Sequence, residues 1–326
     1  MTSDRVTCDL CPRECRLSEG QRGYCYVRMN RGGQIMLDTY GRTSGFGLDP
    51  IEKKPLNHFL PGSLALSFGT AGCNLGCKFC QNWEISTSRR QDTLSQTASP
   101  DQIARAALNK NAASVAMTYN DPVIFYEFAA DVSAACRTLG VHPVAVTAGY
   151  ISPKYARSFF SLVDAANIDL KSFSDDFYRT ITGGRLNTVL NSIATAVELG
   201  IHVELTTLII PGYNDSDSEI SAMCQWVVEN VGPDVPHHFS AFHPDNRMRD
   251  VPRTPPQTLA RAYDIAREAG EHFPYTGNVH DARGDTTFCP SCNQRLIVRD
   301  WYRILENHLT SSGTCPNCGT TIAGVF

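Results

Sequence analysis

Short apolar runs alternate with longer segments whose apolar positions recur every three or four residues, from about residue 62 to about residue 270. That alternation argues for βα units around a parallel sheet. The runs predict strands at Leu64–Phe68, Ser114–Thr118, Val144–Thr147, Ala165–Lys171, Val203–Ile210 and His238–Phe242. Between them fall helices over Ser99–Lys110, Val123–Leu139, a segment opened by Ser152-Pro153, Leu186–Leu199, Ser216–Asn230 and Gln257–Ala269. Ser99-Pro100-Asp101-Gln102 supplies a capping residue, a proline at the first helical position and a glutamine to close the box. Six units fall short of a closed eightfold barrel, so an open, partial parallel β/α barrel is expected.

Composition adds limits. The 326 residues fit one barrel-sized domain with small appendages, and the 42% hydrophobic content suffices for a core. The divisions expected are a Cys-rich lead-in (1–60), the barrel (61–284) and a terminal module (285–326). A net charge of −4 and a pI near 6.1 give no basic field, so nucleic acid is not an indicated partner. Met1-Thr2-Ser3-Asp4-Arg5 carries no apolar signal segment and no run is long enough to span a bilayer. Clustered cysteines in such a chain point to metals in a reducing cytoplasm rather than to disulfides.

The cysteines move the reading from fold to chemistry. All but Cys136 and Cys224, which sit in apolar helical patterns and read as core packing, fall into three clusters. Gly72-Cys73-Asn74-Leu75-Gly76-Cys77-Lys78-Phe79-Cys80 lies just past the first predicted strand, where α/β barrels place their chemistry. Its Cys-x3-Cys-x2-Cys spacing lets three thiolates grip three irons of a four-iron four-sulfur cube, leaving the fourth open to a small chelating molecule. Zinc wants four ligands in paired two-residue spacings, which the triad lacks. Cys289-Pro290-Ser291-Cys292 and Cys315-Pro316-Asn317-Cys318 do have that pairing, with 22 residues between. They read as a zinc-ribbon or rubredoxin-type site: a structural zinc first, iron as an electron relay second. Cys8, Cys11, Cys15 and Cys25, interrupted by Pro12, Gly20 and Gly23, offer four more thiols. These suit zinc, a second iron–sulfur cluster, or a metal-free cap over the triad.

The triad in this setting resembles the radical S-adenosylmethionine (SAM) superfamily. There the amino and carboxylate groups of SAM take the open iron of a [4Fe-4S] cluster. One electron then breaks a carbon–sulfur bond, giving methionine and a 5′-deoxyadenosyl radical that abstracts hydrogen. A low-potential donor of flavodoxin or ferredoxin type is implied. Asn120 and Asp121 end the second predicted strand and are candidates to accept from the SAM ammonium; Asp121, before Pro122, reads equally as a helix N-cap. The superfamily often carries a Gly-Gly-Glu type motif here, from which Tyr119-Asn120-Asp121-Pro122 departs with a shorter carboxylate. Asp169 and Lys171 alternate with Leu170 and share one face of the fourth strand. Either Lys171 meets the SAM carboxylate, with Asp169 orienting it or meeting a ribose hydroxyl, or the two form an internal ion pair. Thr206, Thr207, Gly277 and Asn278 are weaker candidates for ribose or adenine; His237, His238 and His243 are assigned nothing.

Taken together, the Cys-rich start, the triad loop, Thr118-Tyr119-Asn120-Asp121-Pro122, Asp169-Leu170-Lys171, Ile210-Pro211-Gly212-Tyr213-Asn214-Asp215 and the paired knuckles before Ala323-Gly324-Val325-Phe326 look like the radical SAM enzyme of the AmmeMemoRadiSam system. The barrel alone is similar to pyruvate formate-lyase activating enzyme. The first resemblance implies association with a Memo-like and an AMMECR-type protein and supplies no substrate. A glycyl-radical-enzyme activase and a non-catalytic iron–sulfur or zinc-ribbon binding protein stand as alternatives. An open barrel leaves one side of the cluster uncovered, so residues 1–60 are expected to cap the mouth and help select the substrate.

Overall fold

The computed structural model describes residues 5–89, 94 and 96–326. Met1 to Asp4, which carry most of the reading of the N-terminus, lie outside the described residues. One eight-stranded sheet dominates, in the order Pro274–Gly277, His237–Ala241, His202–Ile209, Ala165–Asp169, His142–Thr147, Ala112–Met117, Leu64–Phe68, Phe46–Pro50. All neighbours are parallel except the last pair, where Phe46–Pro50 runs antiparallel to Leu64–Phe68. The two end strands do not pair with each other, so the barrel is open, as expected.

Two of these strands escape the periodicity reading, which finds six units. Pro274–Gly277 is four residues bounded by a proline and a glycine, both turn signals in sequence. Phe46–Pro50 holds Gly47 and Pro50, and an edge strand tolerates both because only one side must pair. It also means that residues 46–50, read as part of the lead-in, extend the central sheet. Elsewhere local chemistry does what it implied. At Pro100–Asn109 the Ser99 hydroxyl accepts from Gln102 N (3.2 Å) while Gln102 Oε1 accepts from Ser99 N (2.8 Å). Apolar helix faces then cover the sheet, joining Phe68, Phe125, Phe128, Phe159 and Phe160 in one core.

Below the sheet interior sits Glu204, fully buried. It accepts from Asn57 N (2.9 Å), His58 N (2.7 Å), His202 Nε2 (2.9 Å) and His238 Nε2 (2.6 Å). Burial alone would raise its pKa, but the two histidines and this shell of donors hold the carboxyl well below its usual range. The terminal module is a three-stranded antiparallel sheet, Thr287–Phe288, Arg295–Asp300 and Arg303–Asn307. It is latched to the barrel through His58, whose ring bonds Ala323 O (2.7 Å) and Tyr275 Oη (2.6 Å), and through Arg299 donating to Asn57 O (2.7 Å). No helix among the described residues is long and apolar enough to cross a membrane.

Candidate functional site

The triad loop leaves the C-terminal end of Leu64–Phe68 and is fixed from several sides. Gly69 and Gly72 make the turn. A Cβ on Gly69 would strike Thr118 O, and Gly72 has φ +76° with the Cys25 carbonyl packed where a side chain would stand. Asn120 spends its whole amide on this loop, donating to Thr70 O (2.8 Å) and Gly72 O (2.7 Å) and accepting from Thr70 N (3.2 Å). It therefore braces the cysteine loop with both amide hydrogens and one of its oxygen's two acceptor sites. From the far side, Gly76 N and Lys78 N donate to Thr182 O (2.8 Å) and Ile181 O (3.0 Å) in the π-helical turn Tyr178–Thr182. Single π turns of this kind recur at functional sites.

Cys73, Cys77 and Cys80 line a cavity of about 470 Å³ at the C-terminal ends of the strands. Burial raises the Cys73 thiol and pushes Cys77 up to about 12, so neither ionises readily without a cation to take its charge. The three sulfurs do not all lie within 4.8 Å of one another, too open a set for a single ion.

Asp121 lies in the same cavity, 3% exposed. One oxygen accepts from Val123 N (3.1 Å), as the N-cap reading expects, and from Thr147 Oγ1 (2.8 Å). Its Oδ2 is buried with no partner, and burial pushes the carboxyl up to about 6. One oxygen thus caps Pro122–Phe125, and the other is a buried acceptor without a hydrogen-bond partner in a residue that lines the cavity. Lys171 pairs with Asp169 at 2.8 Å, both on the cavity wall beside Cys77. Burial would lower the lysine, but Asp169 and the Cys77 sulfur carry its pKa up and keep it cationic. Asn214, inside the Ile210–Asp215 motif, ties the two neighbouring strand ends together by donating to Lys171 O (2.8 Å) and Leu208 O (2.9 Å).

Of the weaker candidates, Thr206, Gly277 and Asn278 line the cavity; Thr207 does not, donating instead to Leu170 O (2.6 Å). His238 reaches the cavity wall, but its Nε2 belongs to Glu204 and its ring stacks on Tyr275 at 5.1 Å. Cys136 packs in the core; Cys224 is buried within a Cys224–His237–Glu271 group rather than in purely apolar surroundings. Sequence reasoning missed the wall opposite the cluster loop: Lys54, Asp285, Trp301 and Tyr302. From the first sixty residues the cavity takes Glu52 to Pro55 and Asn57, and none of the four N-terminal cysteines. The cap expected over the mouth is thus confined to that short stretch. The cysteine segment lies against the triad loop instead, where its four cysteines share a small cavity with Asn74.

In the terminal module the four thiols converge. Cys289–Cys318 and Cys292–Cys315 sulfurs are 3.5 and 3.7 Å apart, against about 3.8 Å for the edge of a tetrahedron with zinc–sulfur bonds of about 2.3 Å. The two knuckles share one backbone pattern: Cys289 N to Gln294 O and Cys315 N to Thr320 O, both 2.8 Å. At the position just before each acceptor, Asn293 and Gly319 take φ +58° and +75°, conformations these residue types tolerate.

The radical SAM superfamily model matches residues 68–226. An uncharacterized protein, MJ0808 of Methanocaldococcus jannaschii, is 38% identical over 99% of this chain and 96% of its own length. The benzylsuccinate synthase activating enzyme of Thauera aromatica is 27% identical over 41% of this chain and 43% of that enzyme. Among solved structures, Streptococcus suis SuiB shares the fold at TM-score 0.53 and 14% identity, over 71% of this chain and 52% of its own. The thiol triad on the loop after the first parallel strand, the family match and this whole-length kinship agree, and the chain belongs to the radical SAM superfamily.

Proposed function

We propose that this enzyme binds SAM with Asp121 Oδ2 against its ammonium and Lys171 toward its carboxylate, and that it is the radical enzyme of an AmmeMemoRadiSam system. A [4Fe-4S] cluster on Cys73, Cys77 and Cys80 supplies, when bound, the single electron that splits SAM into methionine and a 5′-deoxyadenosyl radical. The chain's own residues do the rest. Asn120 and the Tyr178–Thr182 turn hold the loop rigid, Asp169 keeps Lys171 extended along the wall, and Leu75, Phe79 and Ala148 supply apolar lining that excludes water from a reactive species. The substrate would enter from the end lined by Trp301 and Tyr302. One observation carries the reading: the buried, unpartnered oxygen of Asp121, a residue that lines the same cavity as the triad. An oxygen left so is costly unless a cationic ligand meets it.

The test is anaerobic reconstitution with iron and sulfide, addition of dithionite and SAM, and chromatography for 5′-deoxyadenosine. Wild type should form it and Asp121→Ala should bind SAM weakly; tight SAM binding by the variant overturns the assignment. The activase reading draws on relatives named as activating enzymes, but these cover about half of the chain, whereas the Cys-rich start and the terminal knuckles lie within the span of the 99% match. Those ends favour a system-specific role with Memo-like and AMMECR-type partners. Co-purification with each partner, and a search for hydrogen abstraction from them or their ligands, separates the two. The terminal thiols are proposed to hold a structural zinc. With all thirteen cysteines free, a reducing compartment such as the cytoplasm and a donor of flavodoxin or ferredoxin type fit best.

A further inference from the structure

The four N-terminal cysteines play no part in that mechanism, yet they come together. Cys8 and Cys15 face each other across the ribbon Val6–Cys8/Cys15–Leu17, and with Cys11 and Cys25 they line one small cavity. Tyr24 N donates to the Cys15 sulfur (3.5 Å), and the backbone of Leu10, of Arg13 and of Val27 and Arg28 partly offsets the rise that burial gives the Cys8, Cys11 and Cys25 thiols. Three of these come from two residues along the chain. The same turn serves Cys73 from Leu75 and Cys318 from Thr320, both in places already read as metal sites. Polar backbone neighbours favour a thiolate over a neutral thiol, as a metal-bound sulfur requires.

A second observation points to an anionic occupant. Arg28 is 7% exposed and lines this cavity, and its Nε is buried without a hydrogen-bond partner, although its other nitrogens bind Glu127 (2.7 and 2.5 Å) and Ile124 O (3.3 Å). A buried guanidinium with an unmet N–H, on the wall of the cavity that the four cysteines line, suits a centre carrying net negative charge.

Spacing speaks against a single ion. The terminal cysteines close to within 4.8 Å of one another, as one zinc requires. No three of the N-terminal sulfurs do, and in that they match the Cys73 triad. Position supplies the purpose. Asn74 lines this cavity, Arg13 holds Asn74 O and Gly183 O, and the Cys25 carbonyl rests on Gly72, one residue from Cys73.

We propose that Cys8, Cys11, Cys15 and Cys25 hold a second [4Fe-4S] cluster that relays single electrons from a low-potential protein donor to the cluster on the Cys73 loop. The inference rests on the radical SAM reading for its second half only. The donor loses one electron, the N-terminal cluster gains and then passes it, and the triad cluster spends it on the carbon–sulfur bond of SAM; no proton moves in the relay.

The experiment compares anaerobically reconstituted full-length protein with Cys11→Ser/Cys15→Ser and with Cys73→Ala/Cys77→Ala/Cys80→Ala. Wild type should carry about eight irons and each variant about four, with matching sulfide. The triad variant, once reduced, should show an electron-resonance signal that SAM does not alter. Retained zinc and an unchanged melting temperature confirm that each variant is folded. In the Cys11/Cys15 variant, SAM cleavage driven by a ferredoxin or flavodoxin should drop by at least an order of magnitude, while dithionite-driven cleavage persists. An iron-free triad variant, or one holding a second zinc, overturns the cluster. Loss of iron from the Cys11/Cys15 variant with donor-driven cleavage intact overturns the relay. If wild type carries both clusters and cleaves no SAM, the functional reading fails and the N-terminal cluster stands.

Discussion

Asp121 at the mouth of the sheet and Glu204 beneath its interior are both buried acids, and their surroundings treat them in opposite ways. Glu204 has four donors and is held ionised; Asp121 has two on one oxygen, none on the other, and is pushed toward its neutral form. A satisfied buried charge fixes strands to loops. An unsatisfied one waits for a ligand. The contrast separates stability from function within one sheet, as in barrels whose chemistry lies at the strand C-termini.

Substitutions at the two ends should therefore fail differently. The largest effect belongs to the mouth: replacing Cys73, Cys77 and Cys80 with alanine should reduce 5′-deoxyadenosine formation to background while the melting temperature and terminal zinc persist. Wild-type levels of product from that variant would sink the cluster assignment. Next comes the interior. Glu204→Ala strands two histidines and two backbone donors, and should cost about 3–5 kcal/mol in denaturant unfolding, the loss typical of a broken buried charge network. Whatever folded variant remains should bind SAM as wild type does, and a selective loss of SAM affinity would erase the distinction between the two ends. Asp121→Asn is the converse. Asparagine still caps Pro122–Phe125, so stability should hold or rise, but SAM affinity should fall by about 2 kcal/mol, roughly thirtyfold, the worth of a hydrogen bond to a charged group.

How much of this was legible in sequence follows from the same division. Spacing marks the cysteine sites because ligands close in sequence must be close in space. The capping box and Pro122 are equally local. Glu204 gives no such sign: it sits in Val203-Glu204-Leu205, and its four donors come from residues 57, 58, 202 and 238. Asn120 lines the cavity the sequence points to, but its bonds to Thr70 and Gly72 have no local signature, since position along a strand does not say which neighbour takes the amide. Trp301 and Tyr302 reach the pocket only because His58 and Arg299 latch the terminal module over it, a tertiary event without local signature.

The smallest expected effect is also the most discriminating, because at Asp121 affinity and stability must move oppositely with pH. Its carboxyl lies near 6 in the folded protein against an ordinary 3.8, so the fold favours the neutral form. That contribution is present in full below pH 3.8 and is lost as pH rises through 6, a difference on the order of 3 kcal/mol between a carboxyl titrating near 3.8 and one titrating near 6. Glu204 and His58 have the reverse slope. Glu204 is held below its ordinary range, and His58, kept neutral by burial near 4, loses stability as pH falls below 6.5. Whole-protein melting curves thus sag in acid and hide the Asp121 component. Subtracting the Asp121→Asn curve from wild type removes the shared terms, and the variant should gain on wild type as pH rises from 3.8 to 6. SAM, which needs the ionised carboxylate, should bind about twofold more weakly at pH 6 than at pH 8 and about tenfold more weakly at pH 5, as a single group titrating near 6 requires. In Asp121→Asn that dependence should flatten. A flat wild-type profile over the same range would mean that the SAM ammonium finds its partner elsewhere.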